Sequence, residues 1–392
     1  MRKYVPFIGA ICFPRPIVLF QSDDWGLLGI RDREGFEELR SAGLKLGGHP
    51  RDFASLETAE DLGRLYEVLS GHRDSIGRSP CVTCNFVLAN MDFPEVLSSA
   101  PAGLFLKPLD RGLPGRWKRP GLWEAYREGL EKGLLYPALH GLTHFCRRAA
   151  EGALRADDER GRLLRILYRA ETPLVHHLIP WIGFEYRDDS GGDGAGWLDR
   201  ATQTRLIGEG VGLFGRMFGR APLSACAPGY RANDDTRLAW SGAGIRVAQN
   251  RPSLGLGPHY DRTGLLMLYR NVPFEPALEP DLHTEDHLVA MAQEAFRAGK
   301  PAVVCTHSAN FHSTLRDYRE ASLARLDRAL ASLERAHPDL LYIHDGDLLS
   351  CVERGGYEHA GQWIPVRPRR RWQLSPVVAH RLAARKASAR GG

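Results

Sequence analysis

The sequence predicts an α/β fold, a distorted (β/α) barrel of about seven to eight parallel strands with insertions. Three observations carry that expectation. Apolar runs of strand length recur from one end of the 392-residue chain to the other. Amphipathic helical periodicities lie between several of them. The runs are nearly continuous rather than alternating, as expected of parallel strands covered on both faces. An open doubly wound sheet is the alternative architecture.

Taken in order, the runs are Ile17 to Phe20, Cys81 to Leu88, Tyr136 to Leu139, Ser224 to Ala227, Ile245 to Ala248, Leu265 to Tyr269, Ala302 to Cys305 and Leu341 to Ile343. Between the first two, Leu62, Leu65, Tyr66 and Leu69 follow a candidate cap at Thr58 with helical spacing. Leu323, Leu326, Leu330 and Leu333 do the same before the last run. The Gly-, Pro- and Arg-rich stretch around 101–132 reads as an insertion. The barrel is expected over 1–350 and a basic tail over 351–392, where Arg367, Arg369, Arg370, Arg371, Arg381, Arg385, Lys386 and Arg390 lie among small residues.

With 43% hydrophobic and 25% charged residues, the composition excludes disordered and fibrous classes. No apolar run approaches the roughly 20 residues of a membrane-spanning helix. A net charge of +5 is too small to imply nucleic acid as a partner, although the basic tail offers a means of peripheral membrane association. Seven widely spread cysteines, an odd number, argue against a disulfide framework and for a reducing compartment. Cys81-Val-Thr-Cys84 has a metal or redox spacing but sits inside an apolar run, where a core strand is the better reading. The N-terminus lacks the features of a cleaved leader, so a cytoplasmic location is expected. Oligomeric state is left open.

Four polar clusters fall where strands end, the positions at which loops converge on one face of a parallel barrel. Asp23-Asp24-Trp25-Gly26 follows the first run; adjacent carboxylates repel unless a cation neutralises one, so the pair suits a metal ligand beside a general base, or else a turn and helix cap. His140-Gly-Leu-Thr-His144 follows the third, and two imidazoles four residues apart face one ion if the segment turns helically. Ala227-Pro-Gly-Tyr-Arg231 is a rigid turn able to carry an arginine toward the first carboxylates. Cys305-Thr-His307, with Asn310, Phe311 and His312 after it, places a proton donor at the seventh run.

In this order the motifs resemble those of the polysaccharide deacetylase (NodB-homology) family of metal-dependent carbohydrate esterases. Ser22-Asp-Asp-Trp-Gly26, Arg270-Asn-Val-Pro-Phe-Glu-Pro276 and Lys300-Pro-Ala-Val-Val-Cys-Thr-His307 are similar to a divergent branch of it. In the family's turn the arginine precedes the proline, whereas Arg231 follows it, and the long stretch from Asp24 to His140 implies an insertion near the site.

The resemblance implies one divalent ion, zinc, on Asp24, His140 and His144, with Asp23 as general base, His307 as general acid and Arg231 holding Asp23 ionised. Glu275 is the candidate tether for His307. With Trp25, Tyr230 and Asn310 it is also expected at the substrate, an acetylated sugar or polysaccharide, N-acetyl ahead of O-acetyl. Phe311 offers a further apolar face for a sugar ring. Two other readings are a non-catalytic glycan-binding or scaffold barrel, and a metal-free glycosidase using Asp23 and Glu275.

Overall fold

The computed structural model describes residues 7–98, 103–156, 158–191, 196–253 and 255–374. Eight parallel core strands fall within or across the predicted runs: β1 Ile17–Trp25, β2 Val82–Phe86, β3 Leu135–Leu139, β4 Ser224–Cys226, β5 Val247–Asn250, β6 Leu266–Tyr269, β7 Ala302–His307 and β8 Leu341–Tyr342. Their order in the sheet is β6-β5-β4-β3-β2-β1-β7, with β8 also against the start of β1.

The sheet curls on itself. Ile17 and Leu19 of β1 share a buried cluster with Val247 of β5 and Leu266 and Leu268 of β6, although those strands are not hydrogen-bonded neighbours of β1. Val18 and Phe20, on the other face of β1, join the larger cluster between sheet and helices. This two-sided burial is what made the strands read as continuous apolar runs.

The ladder does not run unbroken round the ring. The outer edge of β6 is taken by the antiparallel pair His259–Tyr260, and the free edge of β7 by Val272–Pro273. Between Tyr269 and Val272 only Arg270 and Asn271 remain, and they span the gap. The Arg270 N–H faces the Asn250 carbonyl at 3.5 Å, while the Asn271 side chain accepts from Val303 N–H at 2.8 Å and donates to the Pro301 carbonyl at 2.9 Å.

Two boundary expectations are corrected. No break falls at 351: helix Asp345–Arg354 crosses it, followed by a hairpin of Gly356–His359 with Gln362–Pro365. Arg369–Leu374 then pairs antiparallel with Phe7–Cys12. Cys351, Tyr357, Ile364 and Val366 are buried in the second cluster with Ile17 at the start of β1, so this segment packs on the end of the sheet away from the site, and Arg367, Arg369, Arg370 and Arg371 are exposed. Residues 375–392, with Arg381, Arg385, Lys386 and Arg390, lie outside the described residues. The expected insertion around 101–132 includes a short strand, Leu106–Pro108, paired with Ala89–Met91, but ends in helix Leu122–Glu131, which buries Leu122, Ala125 and Tyr126 as an ordinary crossover. All seven cysteines are free, Cys81 and Cys84 being buried. Among the described residues no helix is long and apolar enough to cross a membrane.

Candidate metal centre

Asp23 and Asp24 lie inside β1 rather than after it, because the strand continues to Trp25. Consecutive side chains in a regular strand point to opposite faces. Here the register against β2 shifts between Ser22 and Trp25, and Asp24 has φ 69°, a left-handed conformation that costs a non-glycine residue roughly 1–2 kcal/mol. The irregularity brings both carboxylates to the same group of histidines and turns Trp25 into the core against Tyr126 and Phe311.

His140 and His144 stand on a loop, not on the helical turn that their spacing suggested. Glu185 shapes that loop: its Oε1 accepts from the N–H groups of Leu142 at 2.8 Å and Thr143 at 3.1 Å. Gly141, at φ 85°, makes room for it, since a Cβ there would meet Glu185 Oε2 at 2.1 Å. Burial pushes the Glu185 carboxyl up to about 7, against the pull of those two N–H donors, of Tyr186 and of His140.

Each imidazole is oriented through its inner nitrogen. His140 Nδ1 lies 2.9 Å from the Cys226 carbonyl, which accepts only, so the proton sits on Nδ1 and the Nε2 lone pair faces inward. His144 Nδ1 lies 3.0 Å from His176 Nε2. Burial and the neighbouring His144 hold His176 down to about 3, so it is neutral and able to accept that proton.

Both outer nitrogens converge on one atom, His140 Nε2 at 3.3 Å and His144 Nε2 at 3.2 Å from Asp24 Oδ1. That oxygen is buried and accepts no hydrogen bond. Two nitrogen lone pairs aimed at a carboxylate oxygen repel unless a cation lies among them. The nitrogen and oxygen donors therefore fit a divalent ion such as zinc, with positions left for water and substrate. Without an ion, burial disfavours charge on either partner but their mutual attraction wins: the Asp24 carboxyl is held well below the usual carboxylate range and His140 well above the usual imidazole value.

Asp23 has a different environment. Arg270 grips it with two bonds, NH1 to Oδ2 and NH2 to Oδ1, both 2.6 Å, and Asn85 donates to Oδ1 at 2.7 Å. Burial alone would raise the Asp23 carboxyl; Arg270 outweighs it and holds the group far below its ordinary value. Arg270 is itself fully buried and fixed by Gln21, Gln249 and Tyr230.

Arg231 does not reach Asp23. Gly229 at φ 58° and Tyr230 at φ 57° turn the chain so that Tyr230 points inward and Arg231 stays exposed, its guanidinium over Phe184. The arginine expected there comes instead from the end of the sixth run. It satisfies the same strand-end rule that singled out the other clusters, which is the signal that could have found it.

At the end of β7, His307 stands in register with Asp23. Its Nδ1 is 2.6 Å from Glu275 Oε1, and Asn310 donates to the other Glu275 oxygen at 2.6 Å. Burial would depress the His307 imidazolium, but Glu275 more than compensates and its pKa lies above the ordinary value. His307 lines a cleft with Asp24 and His144. His312 has both nitrogens engaged, Nδ1 by Ser55 N–H and Nε2 by Glu57, so it serves the scaffold.

The expected substrate contacts are also reassigned. Trp25 and Phe311 are buried in the core and present no face to a sugar. The Tyr230 hydroxyl accepts from Arg270 at 2.6 Å beneath that guanidinium. The Asn310 amide is spent on Glu275, Thr306 and the Ala277 N–H, and Glu275 itself is spent on His307. These groups position the site. Sequence reasoning missed Glu185, His176, Asn85 and Gln249 altogether.

No protein-family model matches the chain, and no curated protein matches it. Among solved structures it is similar to a family 4 carbohydrate esterase from Streptomyces lividans in complex with acetate, at 12% identity over 84% of this chain and 91% of that one, TM-score 0.34. It is similar to peptidoglycan deacetylase PdaC from Bacillus subtilis at 9% identity over 86% and 91%, TM-score 0.35. A CE4-family pseudoenzyme from Bacillus anthracis is similar at 10% identity over 86% and 66%, TM-score 0.38. Likenesses of this size decide nothing about the chemistry of the site, which depends on its side chains.

Proposed function

We propose that this chain is a metal-dependent hydrolase that cleaves the N-acetyl linkage of a sugar or polysaccharide. The observation that carries this reading is the approach of two Nε2 lone pairs to a buried, unbonded Asp24 oxygen on the wall of an open cleft. Asp24, His140 and His144 would hold one divalent ion, zinc by its donor set. Bound there, such an ion lowers the pKa of water and polarises a carbonyl oxygen.

The chain's own residues supply the proton transfers. Asp23, kept ionised by Arg270, accepts a proton from the attacking water; a carboxylate this weakly basic suffices only when the water is already acidified. His307 directs Nδ1 to Glu275 and presents Nε2 to the cleft. Glu275 raises its pKa above the ordinary imidazole value, which favours the protonated form that would donate to the departing nitrogen.

The metal-free glycosidase reading is less well supported. It needs one carboxyl kept protonated and one free to act on the sugar, whereas Asp23 is held ionised by Arg270 and Glu275 is committed to His307 and Asn310. A scaffold built to bind glycans gains nothing from Trp25 and Phe311, which are buried.

The test is metal content together with turnover. One zinc per chain, loss of hydrolysis of an N-acetylated oligosaccharide on chelation and recovery on adding zinc are expected. Undiminished turnover after exhaustive metal removal would refute the reading.

A further inference from the structure

The cleft that opens beside Asp24, His144 and His307 has a volume of about 100 Å³. Much of its lining is apolar, including Leu27, Leu28 and Ile30 after β1, Leu174 and Val175 from the loop before His176, and Leu278 beyond Glu275. The wall is fixed in place, with Leu27 N–H on the Asp24 carbonyl, Gly29 N–H on that of Ser55 and Ile30 N–H on that of Ala54.

Several polar side chains in the same wall are already satisfied, while Arg51 stays exposed on it. The Ser55 hydroxyl donates to the Arg31 carbonyl and accepts from Arg119. His312 is engaged at both nitrogens and Asn310 at both ends of its amide. A sugar ring here would strip water from its hydroxyls with few partners to replace it, a cost on the order of 1–3 kcal/mol for each unmet group. An alkyl chain has no such cost and gains from each methylene buried.

We propose that this cleft receives the acyl chain of the substrate, and that acyl groups longer than acetyl are the better substrates, the class being N-acyl amino sugars with a medium-length chain. The proposal rests on the hydrolase reading above and names its substrate. The chain is bonded to the reacting carbonyl carbon, so of all parts of an acyl sugar it is the apolar part nearest the Asp24–His144 group. Hydrolysis breaks the carbon–nitrogen bond, puts the water oxygen on the carbonyl carbon and a proton on the nitrogen, and releases an alkyl carboxylate and a free amino sugar.

A chain-length series tests this on the zinc-loaded protein. With N-acetyl, N-butyryl, N-hexanoyl and N-octanoyl glucosamine, kcat/KM should rise about 4-fold per added methylene until the cleft is filled. Leu278→Asp, at a half-buried position on the wall, should reverse the preference toward acetyl. A maximum at acetyl would overturn the proposal while leaving the parent reading intact, as would a gain that follows alkyl groups added to the sugar rather than to the acyl side. Binding of acetate, butyrate, hexanoate and octanoate by calorimetry, with and without zinc, gives an arm independent of turnover. Affinity that does not change across that series overturns the acyl proposal whether or not zinc binds; failure to bind zinc overturns the metal reading alone.

Discussion

Replacing Arg270 with glutamine tests the electrostatic design of the site. Arg270 and Asp23 form an ion pair with 0% and 4% of their side chains exposed, and the guanidinium holds both carboxylate oxygens at 2.6 Å. Removing one member of such a pair leaves a buried, uncompensated charge and costs about 3–5 kcal/mol, much more than the intact pair contributes. Unfolding entropy of about 2.1 cal/mol/K per residue over 392 residues converts that loss into a fall in Tm of about 5 °C.

The pH dependence supplies the sign. In the wild-type chain the Asp23 carboxyl lies below its unfolded value of about 3.9, so its contribution is present above that pH and lost only as pH falls through the lower folded value. Between pH 5 and 8 Asp23 itself adds no slope. In Arg270→Gln the largest counterweight to burial is gone, although His140 and His307 still oppose it, and the carboxyl rises; the penalty relative to wild type is then smaller at acid pH, where the carboxyl takes up a proton. Adding Asp23→Asn should restore most of the lost stability. Thermal melts of the four proteins of this cycle at pH 5 and 8 measure both effects. A double variant no more stable than Arg270→Gln, or parallel pH profiles, would refute the ion-pair account.

Four further outcomes are expected. Zinc binding should release protons and strengthen as pH rises through a value above the ordinary imidazole range, because His140 is held protonated in the metal-free chain; calorimetry in buffers of different ionisation enthalpy checks it. His307→Ala should slow N-acyl amide hydrolysis by about 10²- to 10³-fold while sparing an activated aryl acetate, whose leaving group needs no proton. Glu275→Gln should move the alkaline limb of kcat to lower pH, since the partner that raises His307 is gone; a pH–rate profile with an unmoved limb would count against the pairing. His312→Ala should lower Tm without that substrate selectivity, because its contacts are to Ser55 and Glu57.

Much of the frame was legible because parallel strands buried on both faces leave continuous apolar runs, and Asp24, His140 and His144 stand where those runs end. What was illegible depended on backbone details that no local pattern encodes. Two consecutive left-handed residues, Gly229 and Tyr230, decide that Arg231 faces solvent. A register shift in β1 decides that Trp25 enters the core rather than the cleft. Glu185 and His176 lie in a segment without strong periodicity and act on residues more than thirty positions away. The pairing of Arg369–Leu374 with Phe7–Cys12 joins opposite ends of the chain, and its arginine-rich composition masked it.

Both departures from strand regularity in the ring coincide with chemistry. The left-handed Asp24 lets one strand deliver two neighbouring carboxylates, the proposed ligand and the proposed base, to the same group of histidines. The interruption after β6 removes a rung of the ladder and leaves Arg270 as a bridge, free to send its whole side chain inward to Asp23. A regular β1 would place the two aspartates on opposite faces of the sheet. A continuous β6 would bind Arg270 into a ladder whose register is set by apolar packing rather than by Asp23. The folding cost of the irregular backbone is offset by the surrounding hydrogen bonds, from Asn271 to β7, from Asn85 to Asp23 and from Arg270 to Gln249. Site geometry and the strand irregularities are therefore linked, and a change that repairs the strand would be expected to dismantle the site.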